Sequence, residues 1–221
     1  MTVFGFDRLL RMKKVMILAV CLLACLPVSL KSHPHMWIDL QSEVVFGKDN
    51  QIAAISQQWL LGYFSSAALL EDASLHPDGV SAGLDKQVGD IINNLHEWNY
   101  FTHVMIDGEP ASIDRVTGYK ASIQDNRVRI EFTTALLAPA ELSVSSFSYS
   151  IYDPTYYIEM FHSENAVIGF SGQTGIECEG IITEPDPSSE AVQLSQSPEL
   201  DSEPDRSLGE LFAETVRVSC Q

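Results

Sequence analysis

Trp37-Ile38-Asp39-Leu40-Gln41-Ser42-Glu43-Val44-Val45-Phe46 sets Ile38, Leu40, Val44 and Phe46 against Asp39, Gln41 and Glu43 in alternation. Successive side chains of an extended chain point to opposite faces, so the pattern describes a strand buried on one side and wetted on the other. Residues 51–61 read as its antiparallel partner, returning across Gly47-Lys48-Asp49-Asn50. Two short elements joined by a polar turn point to a sheet protein, and the rest of the chain extends that theme.

Residues 100–106 meet a following strand through Asp107-Gly108, a turn in which both central residues need positive φ. A second hairpin runs through Gln124-Asp125-Asn126, and its outgoing strand alternates Val128, Ile130 and Phe132 with Arg127, Arg129 and Glu131. Further strands are predicted at 142–152, 156–162, 166–171, 175–182 and 215–220. Helices interrupt this series in three places. Leu84, Val88, Ile91, Ile92, Leu95 and Trp98 form one apolar stripe on a helix of 84–98. Residues 63–72 read as a second helix. Ser207 and Glu210 make a capping box for a short third one over 207–214. The expected fold is therefore α+β, mainly β: an antiparallel β-sandwich-like domain over 33–182 that carries an amphipathic helix and a short C-terminal helix. Strands do not alternate regularly with helices, which argues against a doubly wound parallel sheet. Between Thr183 and Arg206 the composition turns to Pro, Ser, Glu and Asp, too poor in apolar surface to order itself. We expect a disordered acidic loop at 183–206, with 207–221 packed back on the domain.

Ahead of the first strand, Arg11-Met12-Lys13-Lys14 leads into an apolar run from Val15 to Leu26, and polar residues return at Ser29, Lys31 and Ser32. This is the layout of a secretory signal peptide over 1–32, with Met12 as an alternative start. The run falls short of the roughly 20 residues that span a bilayer. Cutting after Ser32 would make His33 the new amino terminus. An alternative reading takes Leu22-Leu23-Ala24-Cys25 as a lipoprotein signal with Cys25 lipidated. The expected location is the periplasm, with membrane contact only through a partner or such a lipid.

The chain holds 13 Lys and Arg against 30 Asp and Glu, a net charge of −17, and removing the basic leader makes the remainder more acidic still. Such a surface repels phosphate backbones and anionic lipid, so nucleic-acid binding is excluded. Of four cysteines, Cys21 and Cys25 sit in the leader, leaving Cys178 and Cys220. In an exported domain such a pair is read as a disulfide, closing a loop of roughly 43 residues worth about 4 kcal/mol. A metal dithiolate competes with it, but neither cysteine has a second Cys or a His at ligand spacing.

His33-Pro34-His35 is the sharpest chemical feature. Histidines at i and i+2 of an extended chain share a side, and Pro34 restricts the backbone between them. With His33 at a free terminus, its α-amine and ring would chelate an ion, and His35 would add a third nitrogen. Nitrogen donors of this kind suit zinc first, with nickel, cobalt and copper accommodated. Asp39 follows four residues later on the same strand face, as ligand or as hydrogen-bond acceptor for an imidazole. His162, with Glu159 nearby, is a candidate distal ligand. Asp153-Pro154 starts a turn, and its bland reading is an Asx turn. His103 shares a face with Phe101 and Met105 and reads as a hydrogen-bonded core histidine, while His76 and His96 read as surface residues. No Gly-x-Ser-x-Gly and no phosphate-cradling glycine loop occurs, so nothing here indicates an enzyme.

His33-Pro34-His35-Met36-Trp37-Ile38-Asp39, Tyr100-Phe101-Thr102-His103 before Asp107-Gly108, Tyr152-Asp153-Pro154-Thr155-Tyr156-Tyr157, and Leu211-Phe212-Ala213-Glu214 ahead of the last cysteine together resemble a bacterial family of periplasmic domains of unknown function, DUF1007. The blocks fall in the same order across nearly all of the chain after the leader. Members of that family tend to accompany nickel, cobalt and zinc permeases. The resemblance implies an accessory protein that binds or delivers a divalent transition metal to an inner-membrane permease. His33 and His35 inherit the ligand role, with Asp39 and Asp153 as weaker carry-overs. One departure stands out: after Trp59 the family tends to show aromatic and acidic residues, whereas this chain reads Leu60-Leu61-Gly62-Tyr63. Two other functions remain open, a copper redox protein built on an amino-terminal His chelate and a metal-free interaction module for a membrane transporter.

Overall fold

The computed structural model describes residues 34–141, 146–172, 175–197 and 205–221. The predicted signal peptide over 1–32, with Cys25, and His33 lie outside the described residues. The first strand, β1 (Met36–Phe46), turns through Lys48–Asn50 into β2 (Ile52–Leu61), with Ile38 opposite Leu61 and Leu40 opposite Trp59. Two helices follow, α1 (Tyr63–Ser74) and α2 (Val80–Leu95), then β3 (Thr102–Ile106) and β4 (Glu109–Pro110). The second hairpin is β5 (Tyr119–Gln124) and the long β6 (Arg127–Ala140). The chain continues through β7 (Phe147–Ile151), β8 (Ile158–His162), β9 (Gly169–Ser171) and β10 (Cys178–Thr183), then α3 (Ser189–Ser195) and β11 (Thr215–Cys220).

These strands build two sheets. The first runs β5-β6-β2-β1-β8, with β9 also paired to β1; the second runs β10-β11-β7-β3-β4. The protein is thus α+β and mainly β, as the alternation predicts. The pairing of the named strands is antiparallel, as expected, except that β8 and β9 both lie parallel to β1. Alternation reports which face of a strand is buried and says nothing about the direction of its neighbour. His162 pairs with Leu40 at the end of β8, and β9 resumes opposite Glu43, so the chain leaves the edge of β1 between those two points.

One core joins both sheets and the helices. Leu40 and Val44 of β1, Ile55 and Trp59 of β2, Val104 of β3, Tyr149 of β7 and Val216 of β11 meet the α2 stripe of Leu84, Val88, Ile92 and Leu95. Gln57, fully buried, bolts the layers together: its Nε2 donates to Thr102 Oγ1 (2.7 Å) and Thr134 Oγ1 (3.1 Å), and its Oε1 accepts from Trp59 Nε1 (3.0 Å).

The amphipathic helix stops short of the predicted Trp98. Asn99, Tyr100 and Phe101 adopt φ of 50°, 53° and 58°, the left-handed region that costs a side-chain-bearing residue about 1–2 kcal/mol. The reversal drives Tyr100 and Phe101 into the core, and Tyr100 Oη accepts from the Val116 N–H at 3.0 Å. The C-terminal helix is also corrected, to a 3₁₀ turn over Gly209–Phe212. The capping box does not form, since the Ser207 hydroxyl and N–H both donate to Asp205 Oδ1. Gly209 instead donates its N–H to Pro154 O at 2.9 Å, so close that a Cβ there would run into the Asp153 carbonyl. Within 183–206, expected to lack order, Ser188 caps α3 by accepting from the Ala191 N–H, and Ala191 and Ser195 are buried.

Cys178 and Cys220 are joined as direct cross-strand partners of β10 and β11. This is the bond of a protein that matures in an oxidising compartment. Among the described residues no helix is long and apolar enough to cross a membrane.

Candidate functional site

His35 stands at the head of β1, where its backbone N–H donates to Tyr157 O at 2.9 Å and its ring lies 4.8 Å from that of Tyr157. The ring belongs to the outer phase of the strand, shared with Trp37 and Asp39, while Ile38 and Leu40 face the core. Asp39 is already engaged: its Oδ2 meets Arg127 Nη1 at 2.7 Å. Arg127 is itself held by Leu61 O (2.6 Å) and Leu60 O (2.9 Å), with its guanidinium over the Tyr63 ring. The carboxylate that the pattern placed beside the histidines is the anchor of an arginine clamp across the sheet.

Asp153 is buried and works as a turn keystone. Its Oδ1 accepts from the N–H and the hydroxyl of Thr155, both at 2.9 Å, and its Oδ2 accepts from the Ile158 N–H at 3.0 Å. This is the Asx geometry expected of Asp-Pro. It sets the direction in which β8 leaves and therefore the position of His162.

His162 ends β8 on the inner side, buried, with both ring nitrogens occupied. Glu214 Oε2 lies 2.8 Å from Nδ1 and also accepts the His162 backbone N–H at 2.8 Å. Nε2 is 2.8 Å from Ser42 Oγ, which in turn is 2.8 Å from Tyr149 Oη. A carboxylate only accepts, so the proton sits on Nδ1, and in the neutral ring Nε2 accepts from the Ser42 hydroxyl. Ser42 Oγ is then left to accept from Tyr149. Burial pushes the Tyr149 phenol well above its ordinary value, partly offset by the Ser42 bond, so it stays a donor. The result is a directed chain from Tyr149 through Ser42 and His162 to Glu214, collected from four separate stretches of sequence.

Beside this chain lies a cleft of about 390 Å³ lined by Gln41, Ser42, Glu43, Gln58, His162 and Asn165, of which Ser42 and His162 are themselves buried. The cleft opens where β1 is bare between the ends of β8 and β9. Sequence reasoning singled out His162 but missed Ser42, Tyr149 and Glu214. One signal was available: Ser42 occupies the phase of β1 that otherwise holds Ile38, Leu40, Val44 and Phe46, a hydroxyl where a branched apolar residue belongs.

His103 is not the hydrogen-bonded core residue expected. It stacks on Tyr152 with centroids 4.1 Å apart, its Nε2 is buried without a hydrogen-bond partner among the described residues, and burial lowers its pKa despite the nearby Glu210.

A family model described as "Protein of unknown function (DUF1007)" matches residues 18–220. The chain belongs to that family. It is also similar to an "Uncharacterized protein" of Haemophilus influenzae, 29% identical over 195 residues, which covers 86% of this chain and 92% of the relative. No solved structure matches. In this DUF1007 protein the candidate ligands do not converge: His35 and Asp39 lie on the outer face, Asp153 in its turn, and His162 within the core. No group of three or more His, Cys, Asp or Glu stands together as a metal cage among the described residues.

Proposed function

We propose that the protein is a periplasmic accessory module that binds a divalent transition metal, zinc foremost with nickel, cobalt or copper as alternatives, through His33 and His35, and presents it to an inner-membrane permease. The observation that carries this reading is the placement of His35: an exposed imidazole on a strand head whose backbone is pinned to Tyr157, directly after Pro34. A pinned backbone reduces the entropy lost when nitrogen donors converge on one ion. Asp39, Asp153 and His162 are committed to protein partners, so the coordination sphere rests on the two histidines, the α-amine freed by processing, and water or the permease. The disulfide and the leader pattern support an exported setting. Calorimetric titration of the exported protein with zinc, beside a His33→Ala/His35→Ala variant, tests the assignment. Binding should vanish in the variant; equal affinity in both removes the site.

A second reading, a metal-free contact module, draws on the same end of the molecule. Trp37, Tyr63, Phe64 and Tyr157 are all exposed around the Arg127 clamp, the aromatic-plus-arginine composition of interface hot spots. Retention of a permease by protein stripped of metal, lost on Phe64→Ser, would favour it.

A further inference from the structure

The outer face of the first sheet is polar through the alternation of its strands, as any wetted sheet face is. Two features go beyond what meeting water requires. The first is shape. Ser163, Asn165, Ala166 and Val167, between β8 and β9, line the cleft of about 390 Å³ together with outer-face side chains of β1 and β2, Gln41, Glu43, Ser56 and Gln58. A second cleft of about 200 Å³ adjoins it, sharing Gln41, Gln58 and Ser163 and adding Asp39, Gln124 and Arg129. The larger volume lies in the range of small-molecule sites. Unlike Ser42 and His162, these groups are open to solvent: Gln41, Gln124, Ser163 and Asn165 are exposed, and Ser56 and Gln58 partly so.

The second feature is charge. Gln41, Gln58, Glu131 and Lys120 are successive cross-strand partners over β1, β2, β6 and β5, and Asp39, Leu60, Arg129 and Ser122 form the next row. Partners in register share a face, with strands about 4.8 Å apart. Within these rows the charges compensate locally, Asp39 against Arg127 at 2.7 Å and Glu131 against Lys120 at 3.3 Å and Arg129 at 3.7 Å. In a chain of net charge −17, such a balanced patch is a departure. Arg129 is also held in place, donating from Nη1 to Gln124 Oε1 at 2.8 Å. What faces the clefts is chiefly neutral: amides that both donate and accept, and serine hydroxyls. Phe161 pairs with Asp39 on β8, is 39% exposed, and sets an aromatic ring on the same face, one outward position before Ser163. The negative face of such a ring attracts polarised C–H groups. Hydroxyl edges that donate and accept, with a C–H face beside them and no net charge, are the chemistry of a sugar ring. Glu43 disfavours an anionic one.

We propose that the two clefts form one binding trough for a short neutral saccharide. The amides of Gln41, Gln58 and Asn165 pair with its hydroxyls, and Phe161 stacks on a C–H face. The trough uses none of the residues assigned to the metal.

The full chain is titrated in turn with maltotriose, cellotriose, chitotriose and mannotriose while its side-chain amide signals are followed by NMR. The expected result is saturable shifts of Gln41, Gln58 and Asn165 with at least one trisaccharide, weakened about 10-fold in Gln58→Ala and in Phe161→Ala, the loss of one hydrogen bond or one ring contact. Thermal melts identify any variant that has not folded, and Asn165→Ala, on the exposed connection, repeats the test away from the strands. Wild-type protein that shows no saturable shift with any of the four up to about 10 mM, past the millimolar end of the affinity scale, overturns the proposal. So does binding that the folded variants retain at full strength. Equal or tighter binding of trialanine or of trigalacturonate overturns it as well, in favour of a peptide or an anion site. Zinc affinity at His33 and His35 is a separate measurement on separate residues, so either reading can fail alone.

Discussion

Replacing Cys178 and Cys220 by serine should destabilise the domain through its unfolded state while leaving the native fold in place. The two residues are 42 positions apart and sit opposite each other at one end of the β10–β11 ladder, which keeps five further residue pairs without them. For a loop of roughly 43 residues the chain-entropy relation gives about 13 cal/mol/K, or about 4 kcal/mol at room temperature. In a domain of about 190 residues, each kcal/mol moves the melting temperature by about 2–4 °C, so the expected drop is about 8–16 °C. Thermal unfolding of the variant beside the oxidised protein measures it, and urea unfolding should show a larger m-value as the unlinked denatured chain expands. A fall of less than about 2 °C with an unchanged m-value would refute the reasoning, because it would mean that the unfolded ensemble is not constrained by the bridge.

Gln57→Leu leaves the Trp59 indole N–H without an acceptor, whereas Thr102 and Thr134 keep their own bonds to Tyr100 O and Ile55 O. The expected loss is about 1–3 kcal/mol by urea unfolding, with a new exchangeable indole signal in NMR. Glu214→Ala strands two buried donors of His162 and should cost about 3 kcal/mol, more than Glu210→Ala on the adjoining turn. Gly209→Ala puts a methyl group into the Asp153 carbonyl and should lower the melting temperature sharply, by about 3 kcal/mol equivalent, and loosen the turn that aims β8. The Tyr152 phenol is raised by burial to about 12, and those of Tyr149 and Tyr156 are raised as well. In the folded state these groups keep their protons where the unfolded chain has begun to lose them. Stability is therefore full below pH about 10 and is lost as pH climbs toward 12, which denaturant titrations across that window will show and Tyr152→Phe will partly flatten.

Much of the architecture is legible in single residues. Ile38, Leu40, Val44 and Phe46 announce the buried face of β1, Asp107-Gly108 announces a hairpin, and the Leu84–Leu95 stripe marks α2, because each depends on local periodicity or turn geometry. What the residues hide is long-range. Nothing in 158–162 states that it will lie parallel to 36–40, since pairing direction is decided by how the whole chain closes. The same limit governs the site. His162 is visible as a histidine at a strand end, but its partners are a serine 120 residues earlier and a glutamate 52 residues later. The capping box at Ser207 misleads because a tertiary contact, Gly209 on Pro154, overrides the local preference for an α-turn.

The parallel seam beside β1 also has a consequence for how the polypeptide matures. β1 finds β2 within a few residues, but its other flank waits for strands that emerge more than a hundred positions later. Until they arrive, the hairpin presents a bare row of amide and carbonyl groups to any neighbouring chain, the template on which aggregation starts. A nascent chain released before β8 would carry that sticky flank permanently.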